Sequence, residues 1–157
     1  MEKRNIFPSI LGASVPVIIV AVFGSLLTDT DSSWYLGLEQ PSFNPDKWVF
    51  PFVWSVVYLS IILSLYLYFR ANAPLTSPLV TCLVLAGICD ILWSLTFFTL
   101  HQLLLPCFIL VFLLALLLYC GIALGSRKPI CGVLFLPHIL WGVFALILNI
   151  AFFVLNL

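Results

Sequence analysis

Five long apolar stretches dominate the chain, at roughly residues 6–27, 49–70, 79–99, 103–125 and 131–156. Each reaches the ~20 residues that a helix needs to cross the hydrocarbon core of a bilayer. Between them lie short breaks that are polar or carry proline. A chain of this kind satisfies its backbone in lipid by forming helices, because a spanning helix makes all its hydrogen bonds within itself. The expected fold is therefore all-α: an integral membrane bundle of five transmembrane helices in one domain covering residues 1–157.

Composition excludes the soluble alternative. Of the 157 residues, 64% are hydrophobic and only 8% charged. Soluble domains carry about 25% charged residues, so this chain cannot clothe a water-facing surface. Net charge is zero, and no basic run points to a nucleic-acid partner. The N-terminal stretch, Ile6 to Leu27, is long enough to span and is read as a retained first helix rather than a cleaved signal. The cysteines, Cys82, Cys89, Cys107, Cys120 and Cys131, form no CxxC pair and read as small buried or lipid-facing hydrophobes.

The basic residues set an expected orientation. With five spans, Lys3, Arg4, Arg70, Arg127 and Lys128 share one side, and Lys47 stands alone on the other. The positive-inside rule then predicts a cytoplasmic N-terminus, a C-terminus outside, and an inner or plasma membrane as the location. The 28–48 break would lie outside. It holds four of the six acids and reads Trp34-Tyr35-Leu36-Gly37-Leu38-Glu39-Gln40-Pro41-Ser42-Phe43-Asn44-Pro45-Asp46. Two prolines stiffen it, its aromatic residues call for burial, and its length suits a lid over the bundle mouth.

Polar residues inside the spans mark the candidate site. Asp90 lies near the middle of the third span, where a charge costs at least ~2.5–3.5 kcal/mol on insertion scales. It should face the bundle interior, either as a ligand or proton site or as an acid that ties helices together. Trp93, Ser94 and Phe97 follow at helical spacing and share its face. In the fifth span His138, Trp141, Ala145 and Asn149 make a second stripe, in which the small Ala145 leaves room. His138 could pair with Asp90, bind a metal or hydrogen-bond to backbone. Trp54 and Tyr58 share one face of the second span. Together these surfaces would suit a flat aromatic ligand with a polar edge. Gly121 and Gly125 form a GxxxG that can pack helices closely or serve a homodimer. No catalytic triad, short-spaced carboxylate pair, metal cluster or phosphate-binding loop occurs in the sequence.

The residues then resemble a known family. Trp34-Tyr35-x-x-Leu38-x-x-Pro41-Ser42-Phe43-x-Pro45, continuing through Trp48-Val49-Phe50-Pro51-x-x-Trp54 to Tyr58, is similar to the signature of the translocator protein family (TspO, the peripheral-type benzodiazepine receptor), in its bacterial type. Asp90-x-x-Trp93-Ser94-x-x-Phe97-Phe98 and Pro137-His138-x-x-Trp141-x-x-Phe144-Ala145-x-x-Leu148-Asn149 fit in order. The resemblance implies a five-helix bundle, often dimeric, that acts as receptor or translocator for porphyrins such as protoporphyrin IX, haem-like tetrapyrroles and other flat aromatic ligands. They would bind inside the bundle under the first loop, against Tyr35, Pro45, Trp54, Tyr58, Trp93, Ser94, Phe97, Trp141 and Ala145. Asp90, His138 and Asn149 join them from the stripes above. No resident cofactor is expected, with porphyrin as ligand or substrate. Some bacterial members are described as degrading protoporphyrin in light, which would make Trp54 and Trp141 catalytic. An alternative is an interaction or stress-signalling protein that ligands modulate. Three positions depart from the family: Asp90 stands where Asn is usual, His138 where Tyr is usual, and Asp46 where a second proline commonly follows Pro45. Specific cholesterol binding is not expected, because after Asn149 no Tyr followed by a basic residue occurs.

Overall fold

The computed structural model describes residues 5–157. Among them there is no strand, and five helical spans are long and apolar enough to cross a membrane. They are α1 (Ile6–Leu27), α3 (Val49–Arg70), α4 (Ser77–Ser94) with a π-helical extension (Leu95–Thr99), α5 (Leu105–Arg127), and the pair α6 (Pro129–Val133) and α7 (Leu136–Leu155). A short helix, α2 (Ser33–Gly37), sits within the 28–48 loop.

Proline and left-handed residues punctuate the chain. Pro78, Pro106, Pro129 and Pro137 each stand in the first turn of a helix, where a missing N–H costs nothing. Asn72, at φ 52°, ends α3 just past its last turn, a position Asn tolerates. His101, at φ 56°, turns the chain between the π-helical extension and α5. The fifth span breaks at Leu134–Phe135 rather than running unbroken over 131–156. Ser64 bridges near that break by donating to the Cys131 carbonyl at 2.8 Å, which ties α6 to α3.

The spans close into a ring in the order α1–α3–α7–α5–α4. α1 is the least embedded, with 17% of its most apolar window buried against 39% for α5. It touches the others through a face of small residues, Ser9, Ala13, Val17 and Gly24. The 28–48 loop, the turn at His101 and the C-terminal end of α7 share one end of the bundle. Arg70, Arg127 and Lys128 lie at the opposite end from Lys47. Lys3 and Arg4 lie outside the described residues.

The GxxxG is used within the chain. A Cβ built on Gly132 would come 2.7 Å from the Gly121 carbonyl oxygen and 2.9 Å from Gly125 Cα. Gly132 thus leaves no room for a side chain and Gly125 little, with a Cβ there 3.3 Å from Gly132 Cα, whereas a Cβ on Gly121 would make ordinary contacts at 3.6 Å.

Candidate functional site

The two polar stripes meet in the middle of the bundle. Asp90 and His138 are both buried, with Asp90 Oδ1 and His138 Nε2 3.2 Å apart. Of the partners open to His138, the structure thus selects the carboxylate. One turn further along α4, Trp93 Nε1 donates to Asn149 Oδ1 at 2.8 Å. Asn149 Nδ2 also reaches the Leu103 carbonyl at a long 3.5 Å. These contacts join α4 to α7 on the inside of the ring. Burial makes them matter, because a polar group left without a partner there loses the water it had and gains nothing.

Aromatic rings wrap this polar seam. Trp54 is stacked on Tyr58 with centroids 5.1 Å apart, sets an edge on His138 at 5.8 Å, and lies 6.3 Å from Trp93. Trp141 points to other partners: Phe50 at 5.8 Å and Phe144 at 5.2 Å. Its buried Nε1 has no hydrogen-bond partner, nor has Nδ1 of His138. The Ser94 hydroxyl lies 3.2 Å from that of Thr28. Thr28 donates to the Gly24 carbonyl at 2.8 Å, so Ser94 is the donor between the two hydroxyls.

The loop forms the roof. Tyr35, on α2, is buried among Phe97, Phe98 and Phe152 at centroid distances of 5.7–6.3 Å. Asn44 Nδ2 donates to its hydroxyl at 3.0 Å. Trp34 stacks on His101 at 4.5 Å. Asn156 holds the loop with both ends of its amide, accepting from the Glu39 N–H at 2.8 Å and donating to the Glu39 carbonyl at 3.1 Å. Lys47 pairs with Asp31 across the loop. Burial pushes the Tyr35 phenol above its usual value, partly offset by the Asn44 hydrogen bond and the Lys47 charge.

The space under this roof is nearly filled. Tyr35, Trp93, Phe97, Ala145 and Asn149 line a void of only about 10 Å³, room for a single water at most. Phe50, Phe98, Leu148 and Phe152 complete its wall. Pro45 is half-buried in the loop and, like Trp54, Ser94 and Trp141, lines neither this void nor the larger cavity. That larger cavity, about 420 Å³, lies in the half of the bundle away from the loop, between α1, α3 and α4. Tyr58, Asp90 and His138 border it; most of the remaining wall is apolar. Among the described residues no cluster of three or more His, Cys, Asp or Glu could hold a metal.

The family model for the TspO/MBR family matches residues 13–155. The chain belongs to the TspO/MBR family. Among similar proteins, the "Tryptophan-rich protein TspO" of Archaeoglobus fulgidus is 29% identical over 154 residues, covering 94% of this chain and 96% of its own. "Protein CrtK" of Rhodobacter capsulatus is 29% identical over 129 residues, 79% of each chain. The "Tryptophan-rich protein TspO" of Chlorobaculum tepidum is 26% identical over 142 residues, 88% of this chain and 90% of its own. In this TspO-family chain, sequence reasoning missed the Asn156–Glu39 clasp and the Trp34–His101 stack. Asn156 carried a weak signal, as a polar residue at the end of an apolar stretch. It also missed the larger cavity, whose glycines and aliphatic residues look like any lipid-facing surface.

Proposed function

We propose that this integral membrane protein is a receptor or translocator for porphyrins and other flat aromatic ligands, taken up between α3, α4 and α7 under the 28–48 loop. The observation that carries this reading is the unpartnered Nε1 of Trp141, a buried donor in an aromatic neighbourhood. A ligand carboxylate or carbonyl would satisfy it, while Trp54, Tyr58 and Trp93 offer ring faces to a macrocycle. Uptake requires Tyr35 to leave its seat, so the loop acts as a lid. Family membership and the three-point attachment of the loop agree with that role.

Protoporphyrin titration of the purified protein in the dark, followed by tryptophan quenching, tests it. Saturable quenching at micromolar ligand, weakened at least tenfold by Trp141→Ala, is the expected result. Unsaturable quenching that ignores the substitution would remove the porphyrin function and leave the fold standing.

A second reading rests on the ring contacts of Trp54 with Tyr58 and Trp93, a series of oxidisable side chains in near contact. Under light, a bound porphyrin would be oxidised by dioxygen, with Trp54 and Trp141 relaying an electron or reacting with the oxygen. New light-dependent absorbance that persists in the Trp54→Phe, Trp141→Phe double variant would rule out that mechanism. For orientation, the basic end with Arg70, Arg127 and Lys128 faces the cytoplasm of a plasma membrane in this proposal. Reporter fusions at the C-terminus would read the opposite side.

A further inference from the structure

Asp90 stands near the middle of the Ser77–Thr99 span, and His138 lies well inside the Pro129–Leu155 span. Charge is costly to keep at that depth, so an ionisable pair there is a functional feature by default. The pair also lies between two unlike spaces. On the loop side, Trp93 and Asn149 line the small void, one turn on from Asp90 and three turns on from His138. On the other side, Asp90 and His138 themselves border the larger cavity. That cavity runs past Ala86 and Leu83 to Phe69 and Leu75, at the end of α3 that carries Arg70. The pair is thus a polar partition between a tight space at the loop end and a roomy one toward the basic end.

This partition can change its charge. A carboxylate and an imidazole 3.2 Å apart titrate as one unit, so the proton belongs to the pair and not to either residue. With His138 neutral and Asp90 ionised, the pair carries one negative charge. With one more proton it carries none. The other titratable groups that face it are the Tyr58 phenol of α3 and the Cys89 thiol beside Asp90 on α4. The ordinary values for a phenol and a thiol, about 10 and 8.5, lie above neutral pH. From α1, α5 and the turn before α7, the residues lining the same space are apolar: Val17, Val20, Leu117 and Phe135. Between about pH 5.5 and 7.5, around the ordinary histidine value, the pair is therefore the group that gains or loses charge.

An acidic ligand gives that change a use. The step rests on the porphyrin reading, in which Trp141 Nε1 donates to a ligand carboxylate. Trp141 follows His138 by three residues on α7, so the two side chains are neighbours on one face. A carboxylate bonded to that indole would stand ~7–10 Å from the pair, where at an effective dielectric near 20 its charge favours the protonated pair by roughly 15- to 50-fold. Without the extra proton, two negative charges would repel inside one bundle. With it, the ligand brings the only one.

We propose that the Asp90–His138 pair is a proton-carrying site, through which the bundle takes up a carboxylate-bearing tetrapyrrole together with one proton. The proton comes from solvent, adds to the pair on binding and returns to solvent on release, and no bond to the ligand forms or breaks. The bound state holds more protons than the free state, so affinity rises as pH falls and is lost as pH rises. For one proton the slope reaches at most about tenfold per pH unit. A macrocycle without carboxylates brings no charge and binds without the proton.

The test counts protons on binding to the full chain in detergent micelles, in the dark. It compares protoporphyrin IX with its dimethyl ester, which keeps the macrocycle and lacks both free carboxylates. Calorimetry in two buffers of different ionisation heat gives the proton count, and tryptophan quenching gives the affinity from about pH 5.5 to 7.5. Protoporphyrin should bind with uptake of about 0.5–1 proton and lose affinity as pH rises. The ester should bind with uptake near zero and a flat affinity. The double variant Asp90→Asn, His138→Gln keeps two side chains that can hydrogen-bond and removes both titrating groups. In it the uptake should vanish, and the affinity that remains should not change with pH. Saturable binding of protoporphyrin without proton uptake would overturn the proposal and leave the porphyrin reading standing. So would equal uptake with acid and ester, or uptake that survives in the variant. Absence of saturable binding to the wild type would remove both readings together. If the variant does not fold or bind, the comparison of acid with ester in the wild type decides alone.

Discussion

His138 Nε2 and Asp90 Oδ1 lie 3.2 Å apart at the centre of the bundle, both buried, on helices that meet nowhere else through ionisable groups among the described residues. Removing one partner of such a pair strands a buried polar group, and removing both does not. His138→Phe or Asp90→Leu alone should lower stability by up to about 3–5 kcal/mol, whereas the double variant should stay within about 1 kcal/mol of wild type. Unfolding titrations in mixed micelles check this. A coupling energy near zero in the double-mutant cycle would mean that the two residues do not depend on one another.

Gly132 permits the tightest backbone contact measured at a glycine in the fold. A Cβ there meets the Gly121 carbonyl and Gly125 Cα, which belong to backbone and cannot rotate aside. Gly132→Ala should therefore cost about 1–3 kcal/mol through overpacking. Gly37→Ala, where a Cβ meets nothing within 4 Å, should be almost silent. Thermal unfolding of both variants in the same detergent makes the comparison. Equal melting temperatures would contradict the packing.

What could be read from the sequence was whatever depends on local composition. Length and apolarity located all five spans, because a lipid-exposed helix has to be apolar whatever it packs against. The ends were less legible. Ser77 and Pro78 begin α4 ahead of the apolar run, Leu103 is left out of α5, and the polar Ser126 and Arg127 still belong to it. Helix caps and interfacial turns decide those limits, and hydropathy does not see them. The stripes at Asp90 and His138 were visible through spacing, but which partner His138 takes depends on the rotation of α7 against α4. The closed roof was least legible. Glu39 and Asn156 are 117 residues apart, and Tyr35 fills space that its own motif suggested would be open.

The Asn156 clasp makes a kinetic prediction. It grips both backbone groups of Glu39 at an exposed site. Its loss should cost little global stability, about 0.5–1.5 kcal/mol per hydrogen bond at most. It should instead free the lid. Asn156→Ala is expected to raise amide exchange across 33–47 and to speed both association and dissociation of protoporphyrin, with a smaller change in affinity. Unchanged exchange in that loop would show that Trp34 and Tyr35 hold it without the clasp.

Tyr35 makes the lid sensitive to alkaline pH. Its phenol is buried against Phe97, Phe98 and Phe152, and burial raises it above its ordinary value near 10. The closed lid therefore binds the phenolic proton more tightly than the open lid does. Closure is fully favoured below the ordinary value, where both forms are protonated. It weakens as pH climbs from about 10 toward the raised closed-state value, because the open form ionises first. Neutral and acidic pH should leave this contribution untouched. A spin label at Leu36→Cys in a cysteine-free background should stay immobile through neutral pH and become progressively more mobile as pH climbs above about 10. Adding Tyr35→Phe keeps the ring under the loop and removes the ionisable hydroxyl, so the mobility should then hardly change with pH. A transition of the same size in the Tyr35→Phe protein would assign the alkaline opening to a group other than Tyr35.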